Sequence, residues 1–418
     1  MQNQRLDAIL ESHVAVGEET KDKLLGAAFC VVNKDGILYQ GSAGRIDLPV
    51  NSAPFTTRSF TWIASMTKIV TAAAVMQEVE RGTLGLDQDM RPLVPQLARM
   101  EILRGFQEAD GKPVLEPNAD PITMRHLLTH TAGLGYDKAD PELARWSEAV
   151  GRTASVYDFS LDGFATPLRF PPGSGWWYGT GLDWAAEAVA AAASARRGAE
   201  TRLADLVQES ILGPLGMRST TFYSLRVSDD IRRSKVANAY RDPETGRLSI
   251  GPLAIPAEPP VQSGGAGLWA TCEDFSKFLR ALLVSSLPEA GTDAAGRILK
   301  SETVAEMLRP QLSDRQREAL QSVTGEAHDS MVPEFEKTTP LNHGISGIIN
   351  LADVPSKRKA GSMMWKGFTN GQWASSPPWI DPKAGIAAAL VVNVLPQPDP
   401  VVTKLHDELE RAVYRDLT

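Results

Sequence analysis

The sequence predicts an α+β protein: an antiparallel sheet flanked by helices, built from both termini, with a mostly helical domain inserted between them. Two observations carry this. The ends have mirrored content, helix then strand-like runs at the start and strand-like run then helix at the finish. The stretch between them keeps helical spacing but is broken by Pro/Gly-rich connections.

At the N-terminal end Leu6, Ile9, Leu10, Val14 and Val16 give an amphipathic helix. The apolar run 27–32, the turn Asn33-Lys34-Asp35-Gly36 and the run 37–39 then read as a β-hairpin. At the other end residues 385–394 form a continuous apolar run of strand type, and Val402, Leu405, Leu409 and Val413 mark a closing helix. One sheet shared by both ends, with helices on its faces, buries these runs together. The expected division is a sheet-and-helix domain from residues 1–100 and 334–418, with 101–333 as the helical domain. Connections such as 170–175 and 255–260 punctuate the middle, and 313–333 is expected to be a mobile surface segment. No fixed-period repeat and no low-complexity tract is present.

With 43% hydrophobic and 22% charged residues over 418 positions, the chain has enough apolar content for a large core. The formal net charge of -8 comes without a dense Lys/Arg block, so neither nucleic acid nor an anionic membrane surface is an expected partner. The first ten residues are polar and amphipathic, lacking the apolar centre of a secretory signal, and no run reaches the roughly 18 apolar residues of a membrane span. A cytoplasmic protein is expected. Cys30 and Cys272 are too few for a disulfide framework or a cysteine-rich metal site and read as unpaired structural thiols.

The sharpest chemical signal is Ser65-Met66-Thr67-Lys68, leading directly into an apolar run of helical length, 69–76. Residues three apart share a helical face. A serine hydroxyl needs a neighbouring base, and a partly desolvated lysine has its pKa lowered enough to act as one. The bland alternative is an N-capping serine beside an exposed lysine. A second Ser-x-x-Lys, 356–359, lies in a basic, Pro-flanked loop where nothing is expected to bury its lysine. The second element is the glycine-rich loop 173–181, which presents Tyr178 just before a helix; the alternative here is an aromatic cluster of Trp176, Trp177 and Trp184. The third, 361–369, reads as an edge strand whose backbone can complete an oxyanion hole, with the amides of Ser65 and Phe368 as candidate donors. Its alternative is a Met/Trp core strand. His126 and His130 lie four apart on an expected helix, a metal-binding spacing, but no Glu between them completes a zinc motif and they are read as structural. No Gly-x-Ser-x-Gly elbow is present, so an α/β-hydrolase lacks its main support.

These elements, in this order, resemble the β-lactamase-like serine hydrolases: serine β-lactamases, DD-peptidases and the esterases that share their fold. The similarity extends to 80–87, 123–134 and 265–271 and so spans most of the chain. Within the family, 177–185 and 379–385 look most like the fungal lovastatin-type acyltransferase and its esterase relatives, beside the family VIII-type esterases. The resemblance implies Ser65 as nucleophile, Lys68 as activating base and Tyr178 as the acid/base serving the leaving group, and it places Trp177, Thr180, Trp365, Lys366 and Gly367 at substrate-contacting positions. Two departures stand out. β-lactamases often have an Asn two residues after the tyrosine, where this chain has Thr180, and Trp365-Lys366-Gly367 replaces their Lys-Thr-Gly. Both changes point away from β-lactams and toward less polar acyl substrates.

The expected function is a serine carboxylesterase acting through an acyl-enzyme on an ester with a hydrophobic acyl or alcohol part, of polyketide type. The aromatic supply near the motifs (Trp62, Trp176, Trp177, Trp365, Phe368, Trp373, Trp379) supports a bulky apolar ligand. Acyl transfer to an alcohol acceptor, a β-lactamase or DD-peptidase activity, and a non-catalytic acyl-binding sensor are the alternatives. The expected partners are a small-molecule ester and, for transfer, an acyl donor and an alcohol acceptor; no metal and no organic cofactor is implied.

Overall fold

Residues 26–33 are apolar without alternation, the pattern of a strand covered on both faces, and Gly26–Asn33 is buried throughout all but its last residue. The computed structural model describes residues 3–287, 296–365 and 378–418. Gly26–Asn33 pairs antiparallel with Ile37–Gly44 on one side and with Ile386–Val392 on the other, Cys30 standing opposite both Gln40 and Ala389. The Asn33 side chain accepts from the amides of Asp35 and Gly36 at 2.9 and 3.0 Å, which closes the hairpin turn.

The sheet has seven strands in the order Ile37–Gly44, Gly26–Asn33, Ile386–Val392, Trp379–Asp381, Met363–Met364, Ile348–Asn350 and Leu341–His343. All neighbours run antiparallel. The fold is therefore α+β, with the first two strands closing onto the last one.

Adjacent strand residues point to opposite faces, and Tyr39 and Gln40 show what covers each. Tyr39 donates to Asp7 of the helix Gln4–His13 at 2.7 Å, and Gln40 reaches Glu273 of the helix Cys272–Ser286. The closing helix Pro400–Asp416 packs beside Gln4–His13. Cys272–Ser286 lies on Gly26–Asn33 and Ile386–Val392, so a helix that the sequence placed in the middle domain belongs to the layers of the sheet. Cys30 and Cys272 are both buried free thiols.

The helix Thr67–Glu80 is buried on all sides from Thr67 to Glu78 and packs against Gly181–Arg197 and Leu203–Val207. Alanines on both partners, Ala72 to Ala74 and Ala185, Ala186 and Ala188, let the two long helices approach closely. The middle also holds β-structure: a hairpin, Glu101–Phe106 with Pro113–Pro117, and a small sheet in which Ala239–Arg241 is joined by Val394–Leu395.

The segment 313–333 departs from expectation. It forms the helix Asp314–Glu326, started by a capping box between Ser313 and Gln316 and seated on Leu341–His343, with Leu320 and Thr324 buried. Its apolar face is narrow, which is why its composition reads as surface loop. No helix among the described residues is long and apolar enough to cross a membrane.

The loop 356–359 behaves in two ways. Lys359 is exposed and pairs with Asp353 at 3.3 Å, far in character from a buried base. Its neighbours Lys357 and Arg358 are buried, and Arg358 donates to Glu410 of the closing helix at 2.7 Å. Removing one partner of a buried ion pair strands the other charge. Glu410→Ala is expected to lower stability by about 3–5 kcal/mol, read as a lower midpoint in urea unfolding; an unchanged midpoint would show that this pair does not anchor the closing helix.

Candidate active site

Ser65 stands where a strand gives way to a helix. Thr61–Trp62 pairs with Trp269–Ala270, Ala64 takes a left-handed φ of 45°, and the short turn Ala64–Met66 runs into Thr67–Glu80. A non-glycine residue at positive φ is a strained arrangement that the surroundings must hold. Here Thr67 does so, its hydroxyl donating to the Ala64 carbonyl at 2.6 Å and accepting from the Leu268 amide at 3.0 Å.

One turn on, Lys68 is 2% exposed and its Nζ lies 3.2 Å from Ser65 Oγ. The same nitrogen donates to the Gly265 carbonyl at 2.9 Å and reaches the Tyr136 hydroxyl at 3.2 Å. Burial lowers the Lys68 pKa to about 7, against the pull of the Asp183 carboxylate. A neutral amine has two N–H groups and one lone pair. The Gly265 carbonyl only accepts, so it takes one N–H; with Tyr136 taking the other, the lone pair faces the serine hydroxyl.

Tyr178 approaches from the opposite side, its hydroxyl donating to Ser65 Oγ at 3.1 Å. The loop that carries it is held against 130–135: Trp177 N–H donates to the His130 carbonyl at 2.9 Å, and a Cβ on Gly179 would meet the Leu134 carbonyl oxygen at 2.3 Å. Only glycine permits that approach. Burial raises the pKa of both Tyr178 and Tyr136, so both are neutral phenols at neutral pH. The two phenols hydrogen-bond to each other and their rings meet edge-on at 5.6 Å.

Behind this set Asp183, from the helix Gly181–Arg197, accepts from Ser263 Oγ at 2.5 Å and from the Gly265 amide at 3.0 Å. It thus holds the glycine whose carbonyl accepts from Lys68. Tyr136, Asp183 and Gly265 all lie in stretches whose pattern the sequence displays, yet no role follows from their local spacing.

The remaining expected positions fall in different places. Trp365 lines the cleft with Ser65, Lys68, Tyr178, Trp176, His343 and Ser346. Trp177 lines an adjoining crevice with Tyr136, Ala139 and Val323. Thr180 is a correction: it is buried beside the Phe164 carbonyl, 3.5 Å from its hydroxyl, and lines neither crevice. At that position the residue precedes the helix Gly181–Arg197 and its hydroxyl turns to Phe164 instead of the cleft. Lys366, Gly367 and Phe368, and with them the second oxyanion donor, lie outside the described residues. The expected helix under His126 and His130 ends at Leu128; His126 completes a capping box with Thr123, while His130 takes φ 59° beyond it. The His130 ring is buried 4.5 Å from that of Tyr178.

A neutral buried amine on a serine hydroxyl, with a phenol on its other side, is a nucleophile with two proton handlers. The family model described as Beta-lactamase matches residues 6–412. The chain is 30% identical over 409 residues to the lovastatin esterase of Penicillium rubens, covering 94% of this chain and 95% of that one. It is 31% identical over 357 residues to the monacolin J acid methylbutanoyltransferase of Aspergillus terreus, covering 84% and 81%. Among solved structures, unliganded simvastatin synthase from Aspergillus terreus matches with a TM-score of 0.85 at 27% identity, covering 100% of both chains.

Proposed function

The chain belongs to the beta-lactamase family, and from that premise we propose that it is a serine carboxylesterase forming an acyl-enzyme on Ser65. The observation that carries this is the buried contact of Ser65 Oγ with both Lys68 Nζ and the Tyr178 hydroxyl, at 3.2 and 3.1 Å.

In the proposed reaction Ser65 Oγ bonds to the ester carbonyl carbon and its proton passes to the Lys68 lone pair. The carbonyl oxygen becomes an oxyanion that rests on backbone amides, Ser65 and Phe368 being the candidates. The C–O bond to the alcohol then breaks, and the departing oxygen takes the Tyr178 proton. Tyr136, bonded to both Lys68 and Tyr178, gives the proton on the lysine a route back to the phenol. Water, or a second alcohol, attacks the acyl-enzyme by the same path in reverse.

The substrate class follows from the walls. Trp176, Trp365, Ile348 and Met364 border the cleft and Trp177 the crevice beside it, so an ester with a bulky apolar part fits best. The relatives named for lovastatin and monacolin J support a polyketide-type ester. Acyl transfer to an alcohol is the second reading. It is favoured by the burial of Ser65 and Lys68, which limits water at the reacting carbon.

Two outcomes are expected. Brief incubation with p-nitrophenyl butanoate leaves a butanoyl adduct on the wild-type protein, seen by intact-mass spectrometry, and none on Ser65→Ala, with Lys68→Ala and Tyr178→Phe each slowed by several orders of magnitude; adduct formation on Ser65→Ala would remove the serine from the mechanism. Second, the free enzyme needs Lys68 unprotonated, so kcat/KM should fall as pH drops through about 7. Asp183 favours the protonated lysine, so Asp183→Asn should move that acid limb to lower pH. A limb that stays in place would show that Asp183 does not tune the base.

A further inference from the structure

We propose that the cleft wall formed by His343, Ser346 and Trp176 is a subsite for a second, neutral hydroxyl on the alcohol part of the substrate. The inference rests on the esterase reading above and adds to it what the alcohol must look like.

The first observation is a gathering of unpaired polar atoms. Ser346 Oγ and the indole nitrogens of Trp176 and Trp365 are buried without a hydrogen-bond partner among the described residues, and all three residues line the cleft with Ser65. Buried polar atoms are normally paired, so such a cluster beside a nucleophile marks where a ligand supplies the partner.

The second is the state of His343. Its Nδ1 lies 2.7 Å from the Gly344 carbonyl, which only accepts, so Nδ1 carries the proton. Nε2 is then a bare acceptor on a residue that lines the cleft. Burial holds the His343 pKa down to about 4, which keeps the ring neutral.

Ser346 gives the third. It sits at φ 74°, where glycine is the ordinary choice, and its amide is pinned to the Leu128 carbonyl at 2.9 Å. A serine kept at a glycine-type position, with its hydroxyl unpaired and facing a pocket, is strain retained at a functional position.

Together these residues offer an acceptor (His343 Nε2), a donor (Trp176 Nε1–H) and a group that does either (Ser346 Oγ), the complement of one alcohol O–H. Lys68 is the one lysine or arginine among the described residues lining the cleft, and its amine is committed to Ser65, Tyr136 and Gly265. A carboxylate or phosphate would find no counter-ion on this wall. The side of the ester is set by Tyr178, which serves the alcohol oxygen: the His130 ring lies 4.5 Å from that of Tyr178 and 5.5 Å from that of His343, so this wall flanks the phenol.

The test compares ethyl, propyl and butyl butanoate with 2-hydroxyethyl, 3-hydroxypropyl and 4-hydroxybutyl butanoate, on the wild type, Ser346→Gly, His343→Phe and His343→Gln. At the chain length that reaches the wall, the terminal hydroxyl should raise kcat/KM about tenfold in the wild type, the worth of a well-made neutral hydrogen bond. That ratio should fall toward one in Ser346→Gly, a change the positive φ favours, and in His343→Phe, while His343→Gln, which keeps an acceptor, recovers part of it. A ratio of one at all three lengths, with the plain esters cleaved in a Ser65-dependent way, would overturn the subsite and leave the esterase reading standing. So would a hydroxyl preference that survives in both Ser346→Gly and His343→Phe. If no ester acylates Ser65, the catalytic reading fails and the subsite falls with it.

Discussion

Lys68 keeps its amine where water does not reach, and three oxygens replace the hydration shell: Ser65 Oγ, the Tyr136 hydroxyl and the Gly265 carbonyl. Two of those oxygens, from Tyr136 and Gly265, come from remote stretches, so the site exists only when both dock. The docking surfaces are built to that end. The helix Thr67–Glu80 is buried all round from Thr67 to Glu78, and Thr71 donates to the Gly264 carbonyl at 2.8 Å, next to the peptide that holds the lysine. Without Gly265 and Tyr136 the buried amine would have one oxygen in place of three, and burying it would cost far more.

The sheet bears on the same cleft at a distance. Met363–Met364, whose next residue Trp365 borders the cleft, is held between Ile348–Asn350 and Trp379–Asp381. Trp379 packs against His406 of the closing helix and under the Arg358 guanidinium, the group that pairs with Glu410. The last helix therefore braces the strands that carry one wall of the cleft. Both ends of the chain thus meet at the cleft: the first end carries Ser65, the proposed nucleophile, and the last end carries the wall that lines the cleft with it.

What was legible in the sequence was what is written locally. The hairpin around Asn33, the strand near the C-terminus, both end helices and the Ser65–Lys68 spacing depend on neighbours within a turn or a strand. What was not legible depends on long-range partners. Tyr136 and Gly265 reach Lys68 across 68 and 197 residues of chain, and Asp183 acts through Gly265, so no spacing announces them. Thr180 illustrates the opposite error, a position carried over by its offset from Tyr178 whose hydroxyl turns to the Phe164 carbonyl. The helix Asp314–Glu326 was hidden by a narrow apolar face, and the helix under His126 stops at Leu128, ahead of the left-handed turn at His130, where periodicity alone would have continued it.

In the proposed mechanism hydrolysis and acyl transfer differ by what stands at the acyl carbon, not by the machinery. Lys68 and Tyr178 meet an attacking O–H in the same protonation states whether it belongs to water or to an alcohol, so neither residue discriminates. Discrimination falls to the walls. Water satisfies an unpaired serine, imidazole or indole as readily as a hydroxyl does, but only an alcohol adds apolar contact with Trp176 and Trp365 at the same moment. An acceptor with an apolar frame and a hydroxyl placed for His343 and Ser346 therefore gains occupancy over water without any change in the catalytic groups, and the same buried nucleophile can serve an esterase or a transferase according to the alcohol it meets.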